Sequence, residues 1–167
     1  FIAAGRLAYQ KGYDIIIERM SEMKSNLNFN LLILGSGELE NDLKQLVISK
    51  GLSDYVRFIG YRKNVSSYIR YADALLLSSR YEGFPNIVLE ANSLGKPVFS
   101  NSCKGGINEI IINGSNGLAC DFTNKEDFQN GLHEFLGTKF DESKIVELTS
   151  SRYSIETIIK KYINFFS

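Results

Sequence analysis

Two carboxylates, Glu82 and Glu90, flank the segment Gly83-Phe84-Pro85-Asn86-Ile87-Val88-Leu89, the most informative stretch of the chain. A glutamate in a loop and a second one a turn or so into the next helix can address one ligand from two ends. Pro85 suits the first helical turn, where its missing N–H is one that a helix start leaves unbonded anyway. The N–H groups of Phe84, Asn86 and Ile87 then stand at a helix N-terminus, where the helix dipole stabilises phosphate charge. The same two glutamates also fit a plainer arrangement, one exposed acid and one acid favoured by the dipole.

Three further segments carry glycine next to groups that can meet an anion or a sugar. Gly5-Arg6-Leu7 followed by Lys11-Gly12 places two cations in a turn leading into a helix, which suits a diphosphate clamp and equally an ordinary loop with two solvated cations. Gly35-Ser36-Gly37 lacks the third glycine and the later acid of a dinucleotide fingerprint. It is either a close backbone approach to a ligand or a bare turn. Ile59-Gly60-Tyr61 follows another apolar run.

The elements that must position these groups alternate between strand-length apolar runs and helical periodicity, the pattern of βα units around a parallel sheet. Strands are predicted at Phe1–Ala4, Asn30–Leu34, Tyr55–Ile59, Ala74–Leu77, Pro97–Ser100 and Gly117–Ala119. Helices are predicted at Tyr13–Lys24, Leu39–Ser49, from an Asn64 cap through Tyr71, from Pro85 onward, around Asn108–Ile112, at Lys125–Leu136 and at Ser154–Phe165. The last carries Ile155, Ile158, Ile159, Tyr162 and Phe166 on one side. The expected fold is α/β, a Rossmann-like doubly wound parallel sheet with its ligand edge at the carboxyl ends of the strands. The four glycine-bearing segments each follow a strand and converge on that edge.

Composition excludes several other classes. The 167 residues suit a single domain over residues 1–167. Nineteen basic residues balance nineteen acidic ones, so the bulk charge calls for no nucleic acid and no anionic membrane. The aromatic residues fall at packing positions rather than in an RNA-stacking pattern. Cys103 and Cys120 read as buried thiols of a reducing compartment. No Asp-x-Asp element or His cluster is present to hold a metal, and the lone His133 reads as a surface or packing residue. No apolar run approaches the roughly 20 residues of a membrane span, and the opening at Phe1 without Met reads as the middle of a longer protein.

Taken in order, Gly5-Arg6-Leu7…Lys11-Gly12, Gly35-Ser36-Gly37, Val56-Arg57-Phe58-Ile59-Gly60, Tyr71-Ala72-Asp73 with Ser78-Ser79, Glu82-Gly83-Phe84-Pro85…Leu89-Glu90-Ala91, Gly95-Lys96-Pro97-Val98 and Gly105-Gly106…Glu109-Ile110 resemble the donor domain of family 4, or group 1, retaining glycosyltransferases. The resemblance implies the C-terminal half of a two-domain GT-B enzyme, without the N-terminal acceptor domain. It implies that Arg6 and Lys11 meet the donor diphosphate, Glu82 the hydroxyls of the transferred sugar and Glu90 the nucleotide ribose. Backbone groups of Gly83, Phe84, Pro85, Asn86 and Ile87 would hold sugar and phosphates, and Ile59, Gly60 and Tyr61 would meet the base. A UDP-sugar is the favoured donor, with GDP-sugars as the alternative, and no metal cofactor is expected.

The acceptor, a carbohydrate or a lipid-linked glycan, would be brought by the absent half, along with a catalytic His and any peripheral contact with the inner face of the cytoplasmic membrane. The isolated domain is expected to be largely inactive. Ser102-Cys103-Lys104-Gly105-Gly106…Glu109-Ile110-Ile111 looks like members that build bacterial surface glycans. Two other readings share the phosphate and ribose contacts: a sugar-nucleotide epimerase of the same fold, and a non-catalytic nucleotide-sugar-binding module.

Overall fold

Runs such as Leu31-Leu32-Ile33-Leu34 and Leu75-Leu76-Leu77 are apolar at every position, as strands covered on both faces must be. In the computed structural model, which describes residues 1–166, six such strands pair in parallel. They are β1 (Ile2–Ala4), β2 (Leu31–Leu34), β3 (Val56–Gly60), β4 (Leu75–Leu77), β5 (Val98–Asn101) and β6 (Gly117–Cys120), in the spatial order β3-β2-β1-β4-β5-β6. The chain winds outward from β1 through β2 to β3, then returns to lay β4 beside β1. Loops leaving β1 and β4 therefore diverge and open a crevice at their carboxyl ends.

Among the described residues there are eight α-helices, α1 (Tyr13–Glu22), α2 (Glu40–Ser49), α3 (Val65–Tyr71), α4 (Asn86–Ser93), α5 (Ile107–Ile110), α6 (Lys125–Gly137), α7 (Glu142–Tyr153) and α8 (Ile155–Phe166); α1 to α6 cover the sheet, while α7 packs on α4 and α8 on α7. Side chains alternate across each strand, so two cores form. Ala3, Ile33, Leu76 and Phe99 face α1, α2 and α6, which contribute Ile16, Ile17, Met20, Leu43, Val47, Phe128, Leu132 and Phe135. Ile2, Leu75, Leu77 and Val98 face α3, α4 and α5, which contribute Ile69, Val88, Ala91, Ile107 and Ile110. Phe99 anchors the first core, its ring centroid 4.8 Å from Phe122 and 5.2 Å from Phe135. In the second, the buried amides of Asn92 and Asn116 bond each other at 3.0 Å and join α4 to the approach of β6.

The predicted elements are present with ends shifted by a residue or two, and three details differ. Helix α7 has no counterpart in the sequence pattern, because only Ile145 and Thr149 of its twelve residues are buried. Its start is marked all the same: the Asp141 carboxylate accepts from the N–H groups of Ser143 and Lys144, an N-cap. Asn64 precedes α3 but makes no side-chain cap bond. Pro85 stands just before α4 rather than in its first turn, at ψ 82°, outside helical geometry. In α8, Ile155, Ile159 and Tyr162 are exposed, and the side chain of Phe166 lies outside the described residues.

The loops after β1 and β2 meet backbone to backbone. Gly35, at φ +140°, brings its Cα so close to the first loop that a Cβ would stand 1.9 Å from the Gly5 carbonyl oxygen. A Cβ on Gly37 would likewise stand 2.4 Å from the carbonyl oxygen of Leu7. Gly35 N–H in turn donates to Gly60 O at 3.0 Å, which draws in the end of β3. Gly35→Ala is expected to lower the unfolding free energy by about 2–4 kcal/mol, read from the urea midpoint. A change below about 0.5 kcal/mol would mean that these loops do not approach so closely.

Candidate functional site

A short 3-10 turn, Tyr9–Lys11, follows β1 and delivers Lys11 to the crevice. Its position is set by the loop after β4. Ser78 Oγ donates to Lys11 O at 2.8 Å, Arg80 N–H donates to Gln10 O at 2.8 Å, and Gln10 Nε2 donates to Tyr81 O at 3.1 Å. The Arg80 guanidinium lies over the Tyr9 ring, 4.0 Å from its centroid, and forks onto Asp14 with bonds of 2.8 and 2.6 Å. Planar two-point pairing of this kind fixes geometry as well as charge. The two loops that diverge from the reversal point are thus stitched together above it.

Within this stitch, Lys11 Nζ donates to Glu82 Oε1 at 2.7 Å and Ser79 Oγ donates to the same oxygen at 2.6 Å. The Glu82 side chain is 8% exposed and that of Lys11 20%. A carboxylate so far from water persists as an anion only with such partners. The loop after β5 holds the same segment from the other side: Glu82 N–H donates to Lys104 O at 3.1 Å, and Gly106 N–H donates to Gly83 O at 3.0 Å. Gly105, at φ +121°, is where a Cβ would collide with the Glu82 carbonyl oxygen at 1.6 Å, so no other residue type fits without a shift.

Beside the ion pair lies a cleft of about 290 Å³ lined by Gly5, Arg6, Gly35, Ser36 and Tyr61, with Arg62 and Val65 at its far wall. The Lys11 stem reaches to 3.0 Å from where a Gly5 Cβ would stand, so Lys11 neighbours a residue of the lining, although neither Lys11 nor Glu82 lines the cleft itself. Arg6, 75% exposed, sits at its rim and pairs with Glu38 at 3.1 Å. Ile59, half-buried, and Gly60, at the end of β3, stand behind Tyr61. Gly37 is not part of the lining; it packs on Leu7 instead.

Phe84 is exposed, Pro85 buried, Asn86 exposed and Ile87 half-buried at the start of α4. The Asn86 N–H is already spent on Phe84 O at 3.0 Å, so it is not one of the free donors that the sequence suggests there. A Cβ on Gly83 would meet open space. Glu90 accepts from Ser66 Oγ, on the first turn of α3 next to Val65. It lines a different recess, between α4 and α7, rather than the Arg6 cleft. Glu82 and Glu90 thus stand on one edge of the sheet without sharing a pocket.

The family described as "Glycosyl transferases group 1" matches residues 1–148. The chain belongs to that family. An uncharacterized glycosyltransferase of Haemophilus influenzae is 31% identical over 96% of this chain and 47% of its own length. Among solved structures, the lipopolysaccharide outer core galactosyltransferase WaaB superposes with a TM-score of 0.86 at 25% identity, over 98% of this chain and 47% of that one. Anabaena Alr3699/HepE, solved in complex with UDP and glucose, superposes with a TM-score of 0.79 at 21% identity, over 99% of this chain and 48% of that one. This group 1 chain therefore spans about half the length of the curated relatives it matches, and it has the Rossmann-like fold of GT-B glycosyltransferases.

Several residues that shape the candidate site were not singled out by sequence. Arg80 and Asp14 are far apart in sequence and meet only where the fold brings their loops together, and Tyr13 lies under Gly5, with burial and then Glu82 raising its phenol. Cys103 is buried as expected, whereas Cys120 is half-buried against Gly131, and burial pushes its thiol up to about 12. His133 is exposed on α6. Among the described residues, no three His, Cys, Asp or Glu side chains gather as a metal site, and no helix is long and apolar enough to cross a membrane.

The Arg80 hydrogen bond holds the Asp14 carboxyl below its usual range, outweighing burial. A carboxyl depressed in the folded state contributes stability above its unfolded value, and that contribution is lost as pH falls through the folded one. Asp14→Asn is therefore expected to be less stable than the unaltered chain at pH 7. The gap should close as pH drops below the ordinary carboxylate range, as followed by urea unfolding at several pH values. A gap independent of pH would assign the effect of the substitution to packing.

Proposed function

We propose that this chain is the donor half of a retaining glycosyltransferase, binding a nucleoside-diphosphate sugar, with a UDP-sugar favoured, for transfer to a carbohydrate or lipid-linked acceptor in bacterial surface-glycan synthesis. The observation that carries the reading is the Lys11–Glu82 pair set against the Gly5–Arg6–Gly35–Ser36–Tyr61 cleft at the strand-order reversal. A cation and a buried carboxylate stand next to the loop that lines this recess of about 290 Å³. HepE, solved with UDP and glucose, and WaaB, a lipopolysaccharide outer core galactosyltransferase, support the same donor and product classes.

Mechanism follows from where charge develops. As the sugar–oxygen bond breaks, negative charge grows on the departing diphosphate and positive charge on an oxocarbenium-like sugar. Arg6, Lys11 and the start of α4 stabilise the first, with no metal called for. The carboxylate of Glu82 accepts from sugar hydroxyls, Glu90, tied to Ser66 next to the cleft residue Val65, accepts from the ribose reaching past the cleft, and the segment Ile59-Gly60-Tyr61 meets the base. Because Lys11 is already paired with Glu82, the arriving diphosphate shares this cation rather than finding it idle. The remaining half of the enzyme supplies the acceptor, closes the cleft against water and carries any contact with the inner face of the cytoplasmic membrane, so the chain alone transfers little.

Calorimetric titration with UDP, GDP and ADP, with and without magnesium, tests this reading. One nucleotide is expected to saturate independently of magnesium, with binding weakened by about tenfold or more in Arg6→Ala and in Glu90→Ala. Unchanged affinity in both variants would remove the site assignment, and absence of binding for all three nucleotides would remove the donor-site reading of this chain.

A further inference from the structure

Ser79 is wholly buried at the carboxyl end of β4. Its hydroxyl donates to Glu82 Oε1 at 2.6 Å, the oxygen that also receives Lys11 Nζ at 2.7 Å. Both protein donors thus converge on Oε1, and Oε2 receives no protein hydrogen bond among the described residues. Ser79 is itself held in place. Asn101, buried on β5, donates through Nδ2 to Ser79 O at 2.9 Å while its Oδ1 accepts from Phe122 N–H at 2.9 Å. An interior chain of bonds, Phe122 to Asn101 to Ser79 to Glu82, therefore runs from the core to the crevice.

We infer that Ser79 is a positioning residue that fixes the plane of the Glu82 carboxylate and commits Oε1 to the protein, leaving Oε2 to accept from the donor sugar. This rests on the donor-site reading above. Two donors on one oxygen orient a carboxylate far better than one, and charge-assisted bonds of this kind are the stronger ones. Only Ser79 can hold that orientation throughout binding. A diphosphate draws on the Lys11 charge, whereas the Ser79 hydroxyl, closed off from solvent at the end of β4, bonds Glu82 alone among the described residues.

The test compares UDP with UDP-glucose, UDP-galactose and UDP-N-acetylglucosamine by calorimetry in the unaltered chain, Ser79→Ala and Ser79→Cys, with thermal unfolding as the folding control. Ser79→Ala is expected to bind UDP as the unaltered chain does, while the extra affinity for the preferred UDP-sugar over UDP falls by about tenfold. Ser79→Cys, which keeps the shape with a weaker donor, falls between the two. Equal losses for UDP and UDP-sugar, no loss for either, or no UDP-sugar preference in the unaltered chain would overturn the inference. A ligand-free crystal structure of Ser79→Ala reads the role without any nucleotide. Glu82 is expected to leave its place, and a carboxylate that stays put overturns the inference. If the unaltered chain binds no nucleotide, the donor-site reading fails by itself and the crystal structure alone decides on Ser79.

Discussion

The site depends on one constraint: the Glu82 carboxylate is held out of water at the point where the strand order reverses. An anion there requires compensation, and the chain supplies it from two loops far apart in sequence, with Lys11 from the turn after β1 and Ser79 from the end of β4. Breaking a pair of this kind leaves an unpaired charge in a poorly solvated place, a stronger effect than losing an exposed ion pair such as Arg6–Glu38. The Arg80–Asp14 fork, the Ser78 bond to Lys11 O and the Arg80 N–H bond to Gln10 O keep the two loops together so that the pair can exist.

Around that pair, the backbone of one loop replaces the side chains of the next. Gly35 packs on Gly5, Gly37 on Leu7, and Gly105 on Glu82, each at a distance that excludes a Cβ. On its glycine side the crevice consequently presents peptide groups, fixed by neighbouring loops, while Tyr61, Arg62 and Val65 line the rest. A surface already arranged in this way loses little entropy when it takes up a ligand. Short strands of three to five residues suffice because the central ones are covered on both faces and their ends are tied by these contacts.

Much of this was legible in the sequence, for physical reasons. Uninterrupted apolar runs mark strands buried on both faces, and the helical spacing of Ile16, Ile17 and Met20 marks a face of α1 that is indeed buried. The glycines of Gly35-Ser36-Gly37 were visible, but not their cause: they serve loop-to-loop approach, which a linear pattern cannot distinguish from approach to a ligand. Helix α7 was hidden because it buries so little, although Asp141 announced its cap. The partners of Lys11, Glu82 and Asp14 were hidden for a different reason. Each ion pair joins residues more than sixty positions apart, so only the fold brings them together.

The central claim is that the crevice beside the Lys11–Glu82 pair receives the nucleotide. Mapping amide chemical shifts of the ¹⁵N-labelled chain during titration with UDP addresses it most directly. The account expects the largest changes at Gly5, Arg6, Ser36, Tyr61, Gly83, Phe84, Asn86 and Ile87, with the far ends of the strands undisturbed. Changes centred elsewhere, such as on the exposed face of α8 or around Lys24–Asn26, would contradict it.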